Sequence, residues 1–379
     1  MRATAYGGFG EKGRTSIAVS TEGFTLLLDC GVNTSDSKTY YPALNPAECA
    51  GLDAMLISHA HEDHIAAVGW AVAHGFRGRL LMTRETRAEA PAIWKAYAPE
   101  PEYRHAMSLP VELIPAHGVF HLGPFRVETG RSGHIVGGVW VHLASAGRSV
   151  LYCGDVVPSS AVFPMDPLPV AGLVMLDGSY GEDDVSGEMR FASIRQYLGR
   201  NPACILPTPL IGRSLEMLAL VEQPPALAPG MLEGLLRQLD QVDWLRPGIA
   251  AGLRDRLALT IEWQPDQPWP DRPLLCHDGM GLSGPSVQIL ERAGREGYPV
   301  LFTGHVPSGS PGDRLMQKGA AHWLRFPTHP TLSENRDIAF ACRAGRVLAH
   351  SCAAGVLSAF ARSIDNLVVD IRPRGSIEI

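Results

Sequence analysis

Short apolar runs separated by Gly, Asp and Asn dominate the first half of the chain. Their length and β-branched content predict strands in TSIAVS, FTLLLDCG, AMLISH, GRLLMT, VELIPA, FRVETGR, GGVWVHLA, SVLYCGD and AGLVMLDGSYG. Two helices are predicted in the same region, one in IAAVGWAVAHG, which ends at Gly75, and one in RAEAPAIWKAYA. Many strands with few helices indicate two sheets packed face to face and flanked by helices.

The pattern changes near Gly181. Longer helical patterns then dominate, in EMRFASIRQYLG, GRSLEMLALVEQ, MLEGLLRQLDQV and PSVQILERAGREG, and they alternate with buried strands in ACILPTP and YPVLFTGH. The strand-rich pattern returns in RVLAHSC and NLVVDIRP. We therefore predict that a second domain, residues 182–327, is inserted into a first domain formed by residues 1–181 plus 328–379.

Composition narrows the class of protein. With 45% apolar and 19% charged residues, the 379-residue chain is typical of a folded protein with more than one core. It has no apolar run long enough for a membrane span and no signal-peptide core at its start. Seven cysteines without a C-x-x-C pair predict reduced thiols and a cytoplasmic location. A formal net charge of −6 means that binding a polyanion would need a local arginine patch or backbone amides.

The segment LISHAHEDHI, which follows an apolar run, concentrates the groups that bind metals. It contains His59, His61, Asp63 and His64, and further candidate ligands follow other predicted strands, namely His134, Asp155 and His350. Residues at strand ends can converge on one rim of a sheet. Imidazole and carboxylate ligands suit Zn²⁺, with Mn²⁺ or Fe as alternatives. Six or seven ligands exceed one tetrahedral site and indicate two ions that share a carboxylate.

Histidines also have two other interpretations, a structural role and a metalloprotease site. Isolated ones, such as His74, His105 and His142, are more simply explained as surface or hydrogen-bonded core residues. A helical metalloprotease site does not fit, because HEDH has the spacing H-E-x-H and not H-E-x-x-H. His59 and His61 would also lie on opposite faces of a helix, so a loop is the expected host.

Taken in order, these motifs resemble those of the metallo-β-lactamase superfamily, and within it the β-CASP nucleases. The matching residues are Asp29 in LLLDCG, the histidines of HAHEDH, His134 in SGHIVGG, Asp155 in YCGD, Asp177 in VMLDGSYG, His329 in FPTHPTLSENRDI and His350 in RVLAHS. The resemblance implies a mixed α/β (α+β) fold: an αββα sandwich with an inserted α/β β-CASP domain. The chain departs from the family after His329, where Pro330-Thr331 replace the common Ala-Asp. It departs again after His350, where Ser351-Cys352 replace Gly-Glu.

The resemblance also implies roles for these residues. His59, His61, His134 and Asp155 would hold one zinc ion. Asp63, His64, Asp155 and His350 would hold the second, and a hydroxide activated by the two ions would attack phosphorus. His329 would be the general acid, Asp177 would orient it, and Asp29 would support the ligands from behind. Two simpler readings stay open: His329 as a structural loop histidine, and Asp177 as a cap at a strand end.

Three further residues are candidates for binding substrate. Arg213 lies early in a predicted helix, where it would meet phosphate beside the favourable end of the helix dipole. Ser308 and Ser310 lie in TGHVPSGSPGDR, a segment that would cradle phosphate through hydroxyls and backbone amides. An exposed surface arginine and an ordinary solvated loop explain these features equally well.

The expected activity is therefore that of a metal-dependent phosphodiester hydrolase, a nuclease acting on RNA or single-stranded DNA. RNA is favoured because a DNA-repair branch of the family usually lacks the histidine that His350 supplies. One alternative is a two-metal hydrolase of a small phosphodiester or other ester, and another is a non-catalytic metal-binding scaffold. No membrane partner is expected, and a homodimer is suggested only by analogy with the family.

Overall fold

The computed structural model describes residues 1–379, which divide into two compact units. The first unit comprises residues 1–158, 165–184 and 329–379, and the second comprises residues 159–164 and 185–328. The second unit thus includes a short segment, residues 159–164, whose hydrophobic pattern does not differ from that of the first-unit residues on either side of it. The domain boundaries predicted from the sequence stay a prediction.

The chain contains 21 strands, most of them short. In chain order they are β1 (Arg2–Gly7), β2 (Phe9–Gly10), β3 (Ser16–Thr21), β4 (Phe24–Leu28), β5 (Ala54–Leu56), β6 (Arg79–Met82), β7 (Val111–Leu113), β8 (Gly118–Leu122), β9 (Phe125–Arg131), β10 (Val139–Ser145), β11 (Arg148–Tyr152), β12 (Leu173–Asp177), β13 (Ile205–Pro207), β14 (Ala226–Leu227), β15 (Ile261–Glu262), β16 (Leu274–Cys276), β17 (Leu301–Phe302), β18 (His322–Trp323), β19 (Arg346–His350), β20 (Cys352–Ala353) and β21 (Ser376–Glu378).

Thirteen α-helices accompany the strands. They are α1 (Pro46–Ala50), α2 (Glu62–Ile65), α3 (Val68–Ala73), α4 (Arg84–Tyr97), α5 (Glu100–Ser108), α6 (Gly187–Arg200), α7 (Arg213–Leu220), α8 (Met231–Leu239), α9 (Ile249–Ala258), α10 (Gly284–Glu296), α11 (Pro311–Gln317), α12 (Leu332–Ala341) and α13 (Ala354–Phe360). None of them is both long enough and apolar enough to cross a membrane.

Two sheets form the frame of the first unit. One has the strand order β21-β1-β3-β4-β5-β6-β7 and the other the order β19-β12-β11-β10-β9-β8. In the first sheet β4, β5, β6 and β7 run parallel, and in the second β11, β12 and β19 run parallel. Parallel strands place their carboxyl ends at the same edge of a sheet, which is where loops that carry functional groups meet.

Alternate residues of each strand face different layers, because side chains in a strand point to opposite faces in turn. In the first sheet Leu27 and Met55 join the core formed with α1, α3, α4 and α5, and in the second Leu151 and Val174 join the core formed with α12 and α13. The side chains between them are also buried, and Phe24 of β4 meets Phe125 of β9 edge to face. The first unit is therefore the predicted αββα sandwich.

The second unit is built on a small parallel sheet with the strand order β13-β16-β14-β15. Helices alternate with its strands along the chain, as the sequence pattern predicts for an α/β unit. A stack of aromatic rings closes one side: Trp263 and Trp269 are parallel at 5.4 Å, and Trp269 and Tyr298 at 4.4 Å. The guanidinium carbon of Arg292, in α10, lies 4.2 Å from the centre of the Trp269 ring. This stack therefore fixes the proline-rich loop WQPDQPWPDRP, residues 263–273, against α10.

One predicted strand is wrong. The apolar segment NLVVDIRP forms only an isolated bridge, in which Leu367 pairs with Val347. Two backbone bonds, from Val347 to Asn366 and from Val368 to Val347, hold it beside the edge strand β19. The chain then turns away, and the final strand β21 pairs instead with β1 in the other sheet. An apolar run alone does not specify how far a strand pairs, because pairing depends on the neighbouring chain.

Gly31 fixes how closely the loop after β4 approaches the metal-ligand loop. A Cβ added there would lie 1.7 Å from the backbone oxygen of Asp63 and 2.5 Å from the nitrogen of His64. Gly31→Ala should therefore lower the free energy of unfolding by about 3 kcal/mol or more, measured by urea denaturation. Gly355→Ala in α13, where no atom lies within 4 Å of an added Cβ, is the matched control and should lose no stability. Equal effects of the two changes would contradict this account.

Candidate metal centre

The candidate ligands follow strands that end at corresponding edges of the two facing sheets. Asp29 follows β4, the HAHEDH segment follows β5, His134 follows β9 and Asp155 follows β11, while Asp177 and His350 are the last residues of β12 and β19. A backbone bond from Val139 to Ser58 ties the two sheets together beside this site. The loop expected to carry His59 and His61 is present, and α2 begins at Glu62, directly after them.

Three imidazole nitrogens converge on one point. His61 Nδ1 lies 3.2 Å from His59 Nε2 and 3.1 Å from His134 Nε2. Asp155 Oδ2 completes the group, at 3.8 Å from His59 Nε2 and 3.7 Å from His134 Nε2. All four donor atoms lie within 4.8 Å of one another. This group has the number and type of ligands that a tetrahedral zinc site uses.

The other oxygen of Asp155 faces a second set of groups. Asp155 Oδ1 lies 3.2 Å from His64 Nε2, and that nitrogen lies 3.7 Å from Asp63 Oδ2. His64 Nε2 and Asp155 Oδ1 are both buried, and neither has a hydrogen-bond partner beyond this contact with the other. Buried polar atoms with few partners are unfavourable unless a further group binds them, and a cation between them would do so. The donors therefore fit a metal on this side of Asp155 as well.

His350 lies beside this second set but makes other contacts. Its ring centre is 6.0 Å from that of His64, and its Nε2 lies 3.0 Å from the carbonyl oxygen of Gly154. Its Nδ1 lies 3.2 Å from the hydroxyl oxygen of Ser351. A carbonyl only accepts, so Nε2 carries the proton in this arrangement.

Asp29 lies behind the ligands, fully buried, and accepts four hydrogen bonds. Its Oδ1 accepts from the Ser58 amide at 2.6 Å, and its Oδ2 accepts from the Ser58 hydroxyl at 2.7 Å, from His64 Nδ1 at 2.7 Å and from the Tyr152 hydroxyl at 2.5 Å. The bond from His64 Nδ1 leaves Nε2 to face Asp155 and Asp63. A carboxylate that fixes the tautomer of a ligating histidine is a common feature of metal sites.

Burial and neighbouring charge shift the pKa values of these groups in opposite directions. Burial, helped by the adjacent imidazoles, holds the pKa of His59 and of His134 well below the usual value. These rings are therefore neutral and keep the lone pairs that a metal needs. Burial also disfavours the charged form of His64, but Asp155, Asp63 and Asp29 outweigh it and raise the pKa of this histidine well above its usual value.

A second cluster adjoins the first through Asp155. His329 Nδ1 lies 2.7 Å from Asp177 Oδ2 and 3.6 Å from Asp155 Oδ2, and the three side chains offer ligand-type atoms within 4.8 Å of one another. Asp177 Oδ1 accepts from the amide and the hydroxyl of Ser179. The ring of Tyr180 meets that of His329 edge to face at 5.3 Å. The histidine is thus held by a carboxylate that is itself held in place.

Comparison with known proteins agrees with this arrangement. Residues 10–208, which are more than half of the chain, match the family model described as "Metallo-beta-lactamase superfamily". The chain belongs to the metallo-β-lactamase superfamily. Members of this superfamily are metal-dependent and usually use zinc, and the His/Asp cluster described above is a metal-binding set of that kind.

Curated relatives include β-CASP proteins. The chain is 24% identical over 84% of its length to transcription termination factor FttA of Lokiarchaeum, covering 58% of that protein. It is 24% identical over 58% of its length to endoribonuclease YSH1 of Yarrowia lipolytica, covering 29%. It is 26% identical over 56% of its length to cleavage and polyadenylation specificity factor 73 of Drosophila melanogaster, covering 34%. The chain thus spans less than two thirds of these relatives.

A solved structure matches the whole chain. A protein of unknown function from Enterococcus faecalis, known from a crystal structure, has a TM-score of 0.64 and 14% sequence identity, and the match covers 99% of both chains. At this identity the match supports the fold alone.

Two of the four departures from the family pattern, Thr331 and Ser351, have a structural explanation. Thr331, which replaces the family's Asp, is the N-cap of α12: its hydroxyl accepts from the Glu334 amide, and the Glu334 carboxylate accepts from the Thr331 amide. Thr and Asp are both favourable N-caps, so the local structure that follows His329 is kept. Ser351, which replaces the family's Gly, has φ +55°, a left-handed backbone conformation that glycine adopts without strain.

The candidate substrate-binding residues Arg213, Ser308 and Ser310 lie in the second unit. Arg213 is the first residue of α7, and its guanidinium packs against Gly304. Ser310 is the N-cap of α11, and its hydroxyl accepts from the Asp313 amide. The Asp313 carboxylate accepts from the Gly309 amide, while Ser308 is exposed. These contacts favour the helix-cap interpretation of Ser310, and substrate binding by the three residues stays a prediction.

Sequence reasoning missed several polar residues of the metal centre. Ser58 and Tyr152 hold Asp29, Ser179 holds Asp177, and the Ser351 hydroxyl meets His350. Each lies within three positions of a motif residue, which is the only signal that the sequence offers. Tyr152 in VLYCGD has the appearance of an ordinary apolar strand residue.

The left-handed conformation of Ser351 leads to a stability prediction. Ser351→Gly and Ser351→Ala both remove the hydroxyl group beside His350, but only Ala keeps the Cβ that disfavours this conformation. We expect the Gly variant to be more stable than the Ala variant by about 1 kcal/mol in urea unfolding. Because both variants lose the same hydrogen bond, each serves as the control for the other. Equal stabilities would mean that the left-handed conformation is not strained.

Proposed function

We propose that this protein is a metal-dependent hydrolase that cleaves phosphodiester bonds in RNA. The observation that carries the proposal is the position of Asp155. Its Oδ2 faces His59 and His134, its Oδ1 faces His64, and His329 Nδ1 lies 3.6 Å from the same Oδ2. A carboxylate between two groups of ligands, with a proton-carrying histidine beside it, suits a displacement at phosphorus.

The proposal assigns two ions to the two sides of Asp155, zinc in preference to Mn²⁺ or Fe. One would be held by His59, His61, His134 and Asp155, and the other by Asp63, His64, Asp155 and His350. His350 joins only when its Nε2 gives up the bond to Gly154, since a nitrogen that carries a proton does not ligate. Divalent ions at such a site supply an activated water and neutralise charge on phosphoryl oxygens.

His329 is assigned the proton that the leaving oxygen requires. Its Nδ1 bonds to Asp177 Oδ2 at 2.7 Å, which leaves Nε2 as the atom that hands a proton to the substrate. Asp177 is buried and held by Ser179, so it fixes the ring without moving. About a fifth of the His329 side chain is exposed, so a substrate atom has access to it.

RNA is the preferred substrate because of the relatives. They carry the names endoribonuclease, transcription termination factor, and cleavage and polyadenylation specificity factor. A small phosphodiester or another ester is the second candidate, because a chain with a net charge of −6 has no general attraction for a polyanion. A non-catalytic metal-binding scaffold is the third.

The cellular setting is part of the same proposal. All seven cysteines are buried and unpaired, which supports a reducing compartment such as the cytoplasm. A homodimer is proposed by analogy alone.

The substrate class can be tested with a panel. Purified protein loaded with zinc, or in parallel with manganese, is incubated with end-labelled RNA, single-stranded DNA and bis-p-nitrophenyl phosphate. We expect cleavage of RNA to be fastest. Asp155→Asn, which removes the shared carboxylate, is the control for contaminating nucleases and should be inactive. Turnover of the small ester alone would refute the nuclease assignment, and metal binding without any turnover would favour the scaffold.

The role of His329 can be tested by His329→Ala. Since general acid catalysis contributes about 10²- to 10⁴-fold, RNA cleavage should fall by that factor while the metal content stays unchanged. Metal content is measured by elemental analysis and cleavage by gel assay. His121→Ala, on the exposed surface of β8, is the matched control and should retain full activity. Full activity of His329→Ala would remove this residue from the mechanism.

A further inference from the structure

Tyr152 is fully buried at the end of β11, three residues before Asp155, and it makes two contacts with the metal centre. Its hydroxyl donates to Asp29 Oδ2 at 2.5 Å. Its ring lies against the imidazole of His350, with ring centres 5.5 Å apart and planes inclined at 47°. One side chain therefore touches both the carboxylate behind His64 and the ring of His350.

The hydroxyl contact acts on His64 through Asp29. Oδ2 of Asp29 accepts from Tyr152, from His64 Nδ1 and from the Ser58 hydroxyl, so three donors share one oxygen. A hydroxyl at this distance from a carboxylate makes a strong, charge-assisted hydrogen bond, which fixes the direction in which the oxygen points. That direction determines the tilt of the His64 ring, and hence where its Nε2 points relative to Asp155 and Asp63.

The ring contact acts on His350 directly. The ring of Phe9 also contacts His350, with ring centres 6.3 Å apart. The imidazole is therefore packed against two aromatic rings that limit its rotation. The ring of Tyr152 alone is enough for this contact, so phenylalanine would preserve it.

We propose that Tyr152 is a positioning residue that aligns His64, through Asp29, and His350, by packing, for the second metal ion. This inference rests on the proposed function, because that function assigns both histidines to the same ion. His59, His61 and His134, which surround Asp155 Oδ2, are not in direct contact with Tyr152. Only His59 is linked to it, through the Ser58 hydroxyl, which donates to Asp29 Oδ2 and lies 3.0 Å from His59 Nδ1. The hydroxyl of Tyr152 should therefore affect the second ion much more than the first.

The test is a zinc titration of the metal-free full chain against a competing chelator. Tyr152→Phe removes the hydroxyl and keeps the ring. We expect the second equivalent of zinc to bind about 10- to 100-fold more weakly, because supporting hydrogen bonds around metal ligands have effects of this size. The first equivalent, which the hydroxyl reaches only through Ser58, should lose much less affinity. Cobalt loading gives an independent readout, since the absorption bands that appear with the second equivalent should change most.

Tyr40→Phe is the matched control. It removes another hydroxyl of the first unit, which donates to the Tyr97 carbonyl at 2.6 Å and not to Asp29 or to a candidate ligand. It should leave both zinc affinities unchanged. The proposal would be overturned if Tyr152→Phe binds the second zinc ion as tightly as the unchanged protein does, or if Tyr40→Phe loses as much affinity. It would also be overturned if the unchanged protein binds only one ion.

A measurement on the unchanged protein covers the case in which Tyr152→Phe does not fold. Strong hydrogen bonds give proton resonances far downfield, and ¹⁵N-labelled histidine separates N–H protons from the hydroxyl proton. The hydroxyl resonance should shift more with the second equivalent of zinc than with the first, and a resonance that does not respond to the second equivalent would overturn the proposal. The proposed function is judged apart from this: a protein that binds two ions but cleaves no RNA disproves the nuclease activity and leaves the role of Tyr152 intact.

Discussion

The metal centre depends on one buried carboxylate, Asp155. Its side chain is 4% exposed, and a carboxylate removed from water is stable as an anion only when positive or hydrogen-bonding groups surround it. Burial alone would raise the pKa of this carboxyl, but the nearby imidazoles of His64, His329 and His59 hold the pKa well below its usual range. The histidines are equally dependent on Asp155, because without it they would be buried and mutually repulsive whenever protonated.

Such mutual dependence requires accurate placement of loops that are far apart in the chain. The sandwich provides it through strands that end at the same edges, and through two backbone conformations that most residues avoid. Asp29 has φ +59° and Ser351 has φ +55°, and each directly follows a strand, β4 and β19 respectively. Strained residues of this kind persist where surrounding hydrogen bonds over-determine the backbone, and they cluster at functional sites. Four hydrogen bonds to the Asp29 side chain, and the bond from the Ser351 amide to Gly8, provide that restraint.

The departures from the family pattern show which parts of a motif carry chemistry and which carry structure. Thr331 keeps the cap of α12 that an aspartate would form, so the loop that presents His329 is unchanged in kind. Ser351 keeps the left-handed turn that glycine would adopt more easily, and adds a hydroxyl group that meets His350. Neither substitution removes a candidate ligand. These two positions therefore vary where the role is local structure, while the candidate metal ligands are retained.

Much of the site was predictable because its signals are local. HAHEDH, the aspartate after β11 and the histidine that ends β19 are recognisable from a few neighbouring residues, and they predicted both the fold and the ligand types. The supporting residues were not predictable in this way. Tyr152 and Asp29 are 123 positions apart, and nothing near Tyr152 indicates that its hydroxyl faces a carboxylate rather than apolar side chains. The strand predicted in NLVVDIRP is wrong for a related reason, because strand pairing depends on the neighbouring chain as much as on the segment itself.

The sequence by itself determined which residue types are available and in what order: the candidate metal ligands, the short strands of the first half, and the helical patterns that follow residue 187. These follow from side-chain chemistry and from short-range periodicity, which act within a few residues. Only the tertiary structure decided that Asp155 presents its two oxygens to different histidines and that His350 bonds to Gly154. The same holds for the hydrogen bond from Tyr152 to Asp29, the carboxylate that also bonds to His64. Such contacts join distant segments, and they arise from the packing of two sheets rather than from any local preference of the chain.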